Sequence, residues 1–85
     1  MDSFQDFKNK LDQEHKWPCI YMFKFVAPST KVDEVRAVFK NETLVLKLSK
    51  AGNYTSFTIE KQIYSSDEVV EIYQEAKQIE GLIAL

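Results

Sequence analysis

The chain has 85 residues, which suits a single domain, and 45% of them are hydrophobic, as expected for a packed core rather than a disordered tail. Eleven basic residues stand against thirteen acidic ones, whereas proteins that bind nucleic acid through its phosphates usually carry a basic surplus. The single cysteine, Cys19, excludes an internal disulfide and any multi-cysteine metal site.

No apolar run approaches the roughly 20 residues that a membrane helix needs. The first ten residues also lack the apolar stretch of a signal peptide. We therefore expect a cytoplasmic protein without a membrane partner.

The N-terminal segment has the apolar spacing of a short amphipathic helix. Phe4, Phe7 and Leu11 recur at helical intervals, Ser3 is placed to cap the helix, and Asp6 follows three residues later. The apolar stripe can pack against the domain or dock on another protein, and the sequence leaves both interpretations open.

The first strand is predicted over residues 19–26. It follows Trp17-Pro18, where the residue before proline favours extended geometry. Alternation should turn one set of aromatic side chains toward the core: Tyr21, Phe23 and Phe25.

Residues 27–30, Ala-Pro-Ser-Thr, are expected to break this strand and open a helix. Ser29 or Thr30 can cap that helix, and Asp33 in its first turn suits the helix dipole. Its buried stripe is predicted from apolar spacing: Val32, Val35, Val38 and Phe39.

A hairpin is predicted next, with strands at residues 43–49 and 54–63. Leu44, Leu46 and Leu48 share one face of the first strand. Gly52 suits the turn because it adopts positive φ without steric cost. The second strand turns Phe57, Ile59 and Ile63 to the core, and Lys61 falls on the same side, near the sheet margin.

The clearest helix start is Ser65, which forms a capping-box pattern with Glu68. Gly81 suits a left-handed C-terminal cap, and residues 82–85 suit a final strand. The predicted buried stripe follows helical spacing: Val69, Ile72, Tyr73, Ala76 and Ile79.

The predicted order is an accessory helix in residues 1–16 followed by β-α-β-β-α-β in residues 17–85. That order favours a ferredoxin-like α+β two-layer sandwich, with a four-stranded antiparallel sheet and both helices on one face. We expect four residues to share its interior: Phe23, Leu46, Phe57 and Ile72.

Three stretches resemble the small bacterial YbeD-like proteins, a domain family of unknown function. They are Trp17-Pro18 with the following Tyr21, Phe23, Lys24 and Phe25, the hairpin SKAGNYTSFTI at residues 49–59, and the apolar end at residues 81–85.

The resemblance implies a cytoplasmic ferredoxin-like domain similar to amino-acid-sensing ACT regulatory modules, without known catalysis. The chain departs from the family pattern at Lys61, where an apolar residue is usual, and its last turn is about one residue shorter.

Several functions of this fold lack their residues here. The loop at residues 27–30 has no Arg for acylphosphatase-like catalysis and no Cys-x-x-Cys pair for metal transport. No mid-strand aromatic is expected on the open face, so a base-stacking RNA surface is also excluded. We predict no enzyme activity, no cofactor, no metal and no nucleic-acid partner.

Individual residues also favour structural roles. His15 has charged neighbours and is expected at the surface, and Cys19 resembles a half-buried hydrophobe more than a reactive thiol. Ser29 and Thr30 can bind a small anion at a helix N-terminus, although capping alone explains them.

The remaining candidate is the open face of the sheet, which must meet water or a partner. It is expected to carry Met22, Lys24, Lys47, Ser56, Thr58 and Glu60, with Val45 and Gln62 beside them. The hairpin tip offers Gly52, Asn53 and Tyr54.

Two hypotheses follow. The first is a protein-interaction or regulatory adaptor that acts through the open face or an edge strand, with a protein partner or its own copy. The second is an ACT-like sensor of an amino acid or metabolite, binding near Ser29, Thr30 or a dimer seam.

Overall fold

The computed structural model describes residues 3–85, and the side chains from Phe4 onward. The predicted Ser3 cap therefore lies outside the described side chains. The elements are α1 (Ser3–Glu14), β1 (Cys19–Pro28), a 3-10 turn (Ser29–Lys31), α2 (Val32–Val38), β2 (Leu44–Leu48), β3 (Tyr54–Ile63), α3 (Ser66–Ala76) and β4 (Ile83–Ala84).

The four strands form one antiparallel sheet in the order β2-β3-β1-β4. Helices α2 and α3 lie on one face of it, since Val35 and Val69 belong to the same buried cluster as the inward side chains of β1 and β3. This is the ferredoxin-like βαββαβ arrangement that the sequence predicts. Among residues 3–85, no helix is both long and apolar enough to cross a bilayer.

The predicted interior is confirmed. Phe23 and Phe57 are fully buried, and Leu46 and Ile72 pack against the same cluster. Three further rings, those of Phe25, Phe39 and Tyr73, lie 5.4 to 6.2 Å from the ring of Phe23. Such offset and edge contacts add to the burial energy of the aromatic core.

Helix α1 packs on the domain, so the structure settles the alternative that the sequence leaves open. Leu11 is buried in the common core, and the ring of Phe7 lies 5.8 Å from that of Tyr73. The indole of Trp17 also donates a 2.8 Å hydrogen bond to Asp12, which ties the end of α1 to the start of β1.

The prediction of a strand break at residues 27–30 is wrong in part. Ala27 and Pro28 stay in β1, paired with Thr55 and Tyr54. Pro28 is tolerated there because the bond from the Ser29 N–H to the Asn53 carbonyl sets the phase of the ladder, so that the nitrogen of Pro28 points away from β3 and no ladder bond to β3 is lost.

The predicted capping by Ser29 or Thr30 is also wrong. The Ser29 hydroxyl donates to the Gly52 carbonyl at 2.8 Å and lies 2.8 Å from the buried Thr55 hydroxyl, and Thr30 is exposed. Among the described side chains, none caps the 3-10 turn or α2. Ser29 instead joins the hairpin turn to the end of β1.

The predicted start of α3 is confirmed. The Ser65 hydroxyl accepts the Glu68 N–H at 3.3 Å, while the Glu68 carboxylate accepts from the Tyr64 N–H at 2.9 Å. The helix ends at Ala76, earlier than the predicted stripe, yet Ile79 is buried in the turn that follows. Gly81 has φ of 82° and leads into β4.

Candidate functional site

The open face of the sheet carries the residues that the sequence assigns to it. Register places Met22 opposite Glu60, and Thr58 between Lys24 and Val45. Lys47 and Ser56 form the next pair. The structure therefore brings Met22, Lys24, Lys47, Ser56, Thr58 and Glu60 together on one surface, and their role in binding stays a prediction.

This face also carries apolar residues that sequence reasoning missed. Val26 lies opposite Ile83, and the Leu85 N–H donates to the Lys24 carbonyl at 2.9 Å. Because residues that lie opposite each other in a sheet share a face, Ile83 and Leu85 project to the open face. Ile20 shares the face two residues before Met22. We call this set of five residues the apolar band: Ile20, Met22, Val26, Ile83 and Leu85.

The apolar band is largely exposed. The exposed fractions are 59% for Ile20, 49% for Met22, 59% for Ile83 and 71% for Leu85. The alternation that places Met22 on the open face also places Ile20 there, so this position of Ile20 could have been predicted from the sequence. The positions of Ile83 and Leu85 depend on the register of a strand only two residues long, for which the sequence holds no signal.

The opposite half of the open face is mostly polar, although it includes the exposed Val45. Strand β3 contributes Ser56, Thr58, Glu60 and Gln62, and the Ser56 hydroxyl donates to the Lys47 carbonyl at 3.3 Å. A shallow depression of about 230 Å³ lies between Thr43, Val45, Thr58 and Glu60. Polar side chains of this kind can be solvated, so the apolar band is the part of the open face that most favours contact with a partner.

The hairpin tip is held by local and long-range bonds. Gly52 has φ of 79° and donates its N–H to the Ser49 carbonyl, and the Asn53 carbonyl accepts the Ser29 N–H at 2.9 Å. Tyr54, which is 50% exposed, lies opposite Pro28 on the open face. Turn chemistry and the bonds to Ser29 account for Gly52 and Asn53, and Tyr54 extends the exposed face.

His15 and Cys19 are both half-buried. The His15 ring stacks on Trp17 and meets the edge of Tyr21, with both centroid distances 5.4 Å. His15 is therefore part of an aromatic contact between α1 and β1, and the charged neighbours in its sequence do not reveal this.

Two ionisable groups lie against cavities on the helix side. Burial, together with the Tyr21 hydroxyl 3.4 Å away, raises the pKa of Tyr73 above its usual range. The Lys61 ammonium donates to the Glu42 carboxylate at 2.7 Å, a bond that raises the pKa of Lys61. The ammonium thus reaches a partner at the sheet margin.

The two cavities differ in the charge of their linings. The first, about 130 Å³, is bounded by Phe39, Lys40, Glu42, Lys61 and Ile72 among others, and the Glu42 and Lys61 charges pair with each other. The second, about 280 Å³, is an apolar groove between α1, α3 and β4 with Lys77 at its rim.

Comparison with known proteins places the chain in a family. Residues 12–85 match the family model described as "Protein of unknown function (DUF493)". A UPF0250 protein of Shewanella oneidensis is 34% identical over 80 residues, covering 86% of this chain and 91% of that protein. UPF0250 proteins of Shewanella baltica and Shewanella sediminis are 34% and 32% identical over the same shares.

No solved structure matches the chain. The names of the relatives state no enzyme activity. The YbeD-like resemblance is confirmed, and the chain belongs to the DUF493 (UPF0250) family of bacterial proteins of unknown function.

Proposed function

We propose that this domain is a cytoplasmic, non-catalytic interaction or regulatory adaptor, and that it binds a protein partner through the apolar band. The proposal rests on one observation: four large apolar side chains, exposed by 49% to 71%, adjoin on one face of an otherwise complete fold. Contiguous apolar patches on a protein surface commonly mark interaction sites.

Charge indicates the kind of partner. Lys24 lies between Met22 and Val26 of the apolar band and forms no ion pair in residues 3–85, while Lys47 adds a second cation on the same face. Glu60 is the acid nearest to them by register. We therefore expect a partner surface that is apolar and carries a carboxylate opposite Lys24, because such a group pairs the ammonium and fixes orientation.

Site-specific photo-crosslinking in bacterial cells tests this proposal. A photo-reactive residue at Met22 should give a discrete adduct, whereas the same group at Gln74, exposed on α3, should not. Ile83→Lys should abolish the Met22 adduct, and Lys24→Glu should weaken it at least several-fold. Equal labelling from Met22 and Gln74, or an adduct that survives Ile83→Lys, would remove the assignment.

The ACT-like sensor hypothesis stays a prediction without a specific observation in its favour. The Ser29 hydroxyl, its best candidate donor, already bonds to Gly52 and Thr55. Thermal unfolding with amino acids and related metabolites at millimolar concentration tests it, because a ligand that binds only the folded state raises the unfolding temperature.

A further inference from the structure

Strand β2 (Leu44–Leu48) forms one edge of the sheet, and β3 is its only neighbour in residues 3–85. The Ser49 N–H donates to the Tyr54 carbonyl at 2.8 Å, which fixes the phase of the ladder. In an antiparallel pair, the residues that bond across alternate with residues whose N–H and C=O point away. Val45 and Lys47 therefore bond to β3.

The backbone N–H and C=O groups of three leucines point away from β3, toward the open edge of the sheet: Leu44, Leu46 and Leu48. Together they present three N–H and three C=O groups along a strand about 17 Å long, at roughly 3.3 Å per residue. Natural edge strands are usually protected by charges, proline or bulges. The only charged residue of β2 is Lys47, whose own backbone faces inward.

The side chains add an apolar surface to this edge. Leu44 and Leu46 are partly buried, but Leu48 is 64% exposed although it lies on the helix side of the sheet, opposite the buried Thr55. On the open face, Val45 is 64% exposed. The helix layer thus does not cover the end of β2.

The sequence of β2 is self-complementary about Leu46. When two copies pair antiparallel around a two-fold axis at this residue, Leu44 of one copy opposes Leu48 of the other, and their outward backbone groups meet. Val45 then opposes Lys47 of the second copy, so no like charges face each other directly. Glu42 and Lys50 lie outside β2, and the Glu42 carboxylate already bonds to Lys61 at 2.7 Å, so the pairing depends on the strand itself.

We propose that β2 pairs with β2 of a second copy of this chain, so that two sheets join into one of eight strands. The pairing satisfies the outward N–H and C=O groups of Leu44, Leu46 and Leu48, and it covers Leu48 with Leu44 of the second copy. A two-fold interface of this kind is closed and repeats every contact twice. It is separate from the apolar band, which lies on the other side of the sheet's midline.

A single strand pair buries less than the roughly 1,600 Å² of a standard interface. We therefore expect a dimer that dissociates on dilution. Light scattering over a concentration series should show the mass rise toward twice the 9.9 kDa of one chain.

Leu48→Lys tests the interface, because it places an ammonium beside the apolar Leu44 of each opposing copy. It should return the mass to one chain and leave the circular dichroism unchanged, since Leu48 is 64% exposed. The matched control is Met22→Lys, at a side chain 49% exposed on the apolar band, which should remain dimeric.

Amide hydrogen exchange gives a second readout that does not depend on a variant. The amides of Ile20 and Met22 point away from β3, toward the part of the β1 edge that β4 does not cover. They have no strand partner on that side, so they serve as internal references. In the dimer, the amides of Leu44, Leu46 and Leu48 should exchange at least tenfold more slowly than those references.

A dimer that survives Leu48→Lys would overturn the assignment. A chain that stays monomeric at millimolar concentration with rapidly exchanging leucine amides would also overturn it, and would leave this edge to a strand of a different protein. Neither outcome bears on the Met22 crosslink, so the two proposals fail separately.

Discussion

The contact between Gly81 and Pro28 yields a sharp stability prediction. A Cβ at Gly81 would lie 2.8 Å from Pro28 Cγ and 3.0 Å from Cδ, and the backbone has φ of 82°. Gly52 has nearly the same φ, 79°, but a Cβ there would meet no atom within 4 Å. The two glycines therefore have the same backbone conformation but differ in the space available to a Cβ.

We expect Gly52→Ala to lower the free energy of unfolding by about 1–2 kcal/mol, the cost of a left-handed conformation for a residue with a Cβ. Gly81→Ala pays the same cost and, in addition, about 1–3 kcal/mol for overpacking, because the proline ring cannot swing aside. In a domain of this size, each kcal/mol shifts the unfolding temperature by about 4–8 °C.

Urea unfolding followed by circular dichroism measures both variants, at one protein concentration because self-association raises apparent stability. Pro28→Ala in the Gly81→Ala background should recover the overpacking part, which a double-mutant cycle isolates. Equal losses from Gly81→Ala and Gly52→Ala would refute the reasoning.

Three further predictions concern single hydrogen-bonding or titrating groups. Ser29→Ala leaves the buried Thr55 hydroxyl without its partner and should cost about 1–3 kcal/mol in urea unfolding, part of which Thr55→Val should restore in the same background; no loss would contradict the role given to Ser29. Because burial raises the pKa of Tyr73, the stabilising effect of this residue is complete below the unfolded value of about 10 and is lost as pH rises above it. Tyr73→Phe should therefore flatten the alkaline fall in the urea midpoint, and an unchanged fall would contradict the buried position of this hydroxyl. Ser65→Ala removes the N-cap of α3 and should cost about 1 kcal/mol, whereas Ser65→Asp should retain most of the stability.

Local patterns predicted the elements whose partners lie close in sequence. The bounds of β3, residues 54–63, follow from an alternation interrupted only at Lys61, between two clear signals, the Gly52 turn and the Ser65 cap. The shared interior of Phe23 and Phe57 was also predictable, because period-two burial in neighbouring strands leaves few alternatives.

Where the structure differs from the sequence-based expectations, the cause lies in contacts between residues that are far apart in the sequence. Ser29 has the composition of a helix cap, but its hydroxyl bonds to Gly52 and Thr55, which lie 23 and 26 residues away. Leu48 shares the parity and the face of Leu46, yet it is 64% exposed, whereas Leu46 packs against the core. Neither outcome has a signal in local sequence.

Part of the candidate site was predictable and part was not. Met22, Lys24, Ser56 and Thr58 follow from alternation in long strands. Ile83 does not, because two paired residues are too few for a periodic pattern.

The junction at Trp17 has a practical consequence. Trp17 is the only tryptophan of the chain, and its indole is bonded to Asp12 of α1 and stacked on His15. Release of α1 would break the first of these contacts, which is not part of the hydrogen-bond ladder of the sheet. Intrinsic fluorescence therefore provides a label-free optical signal for detachment of the N-terminal helix, separable from the loss of far-ultraviolet ellipticity that accompanies global unfolding.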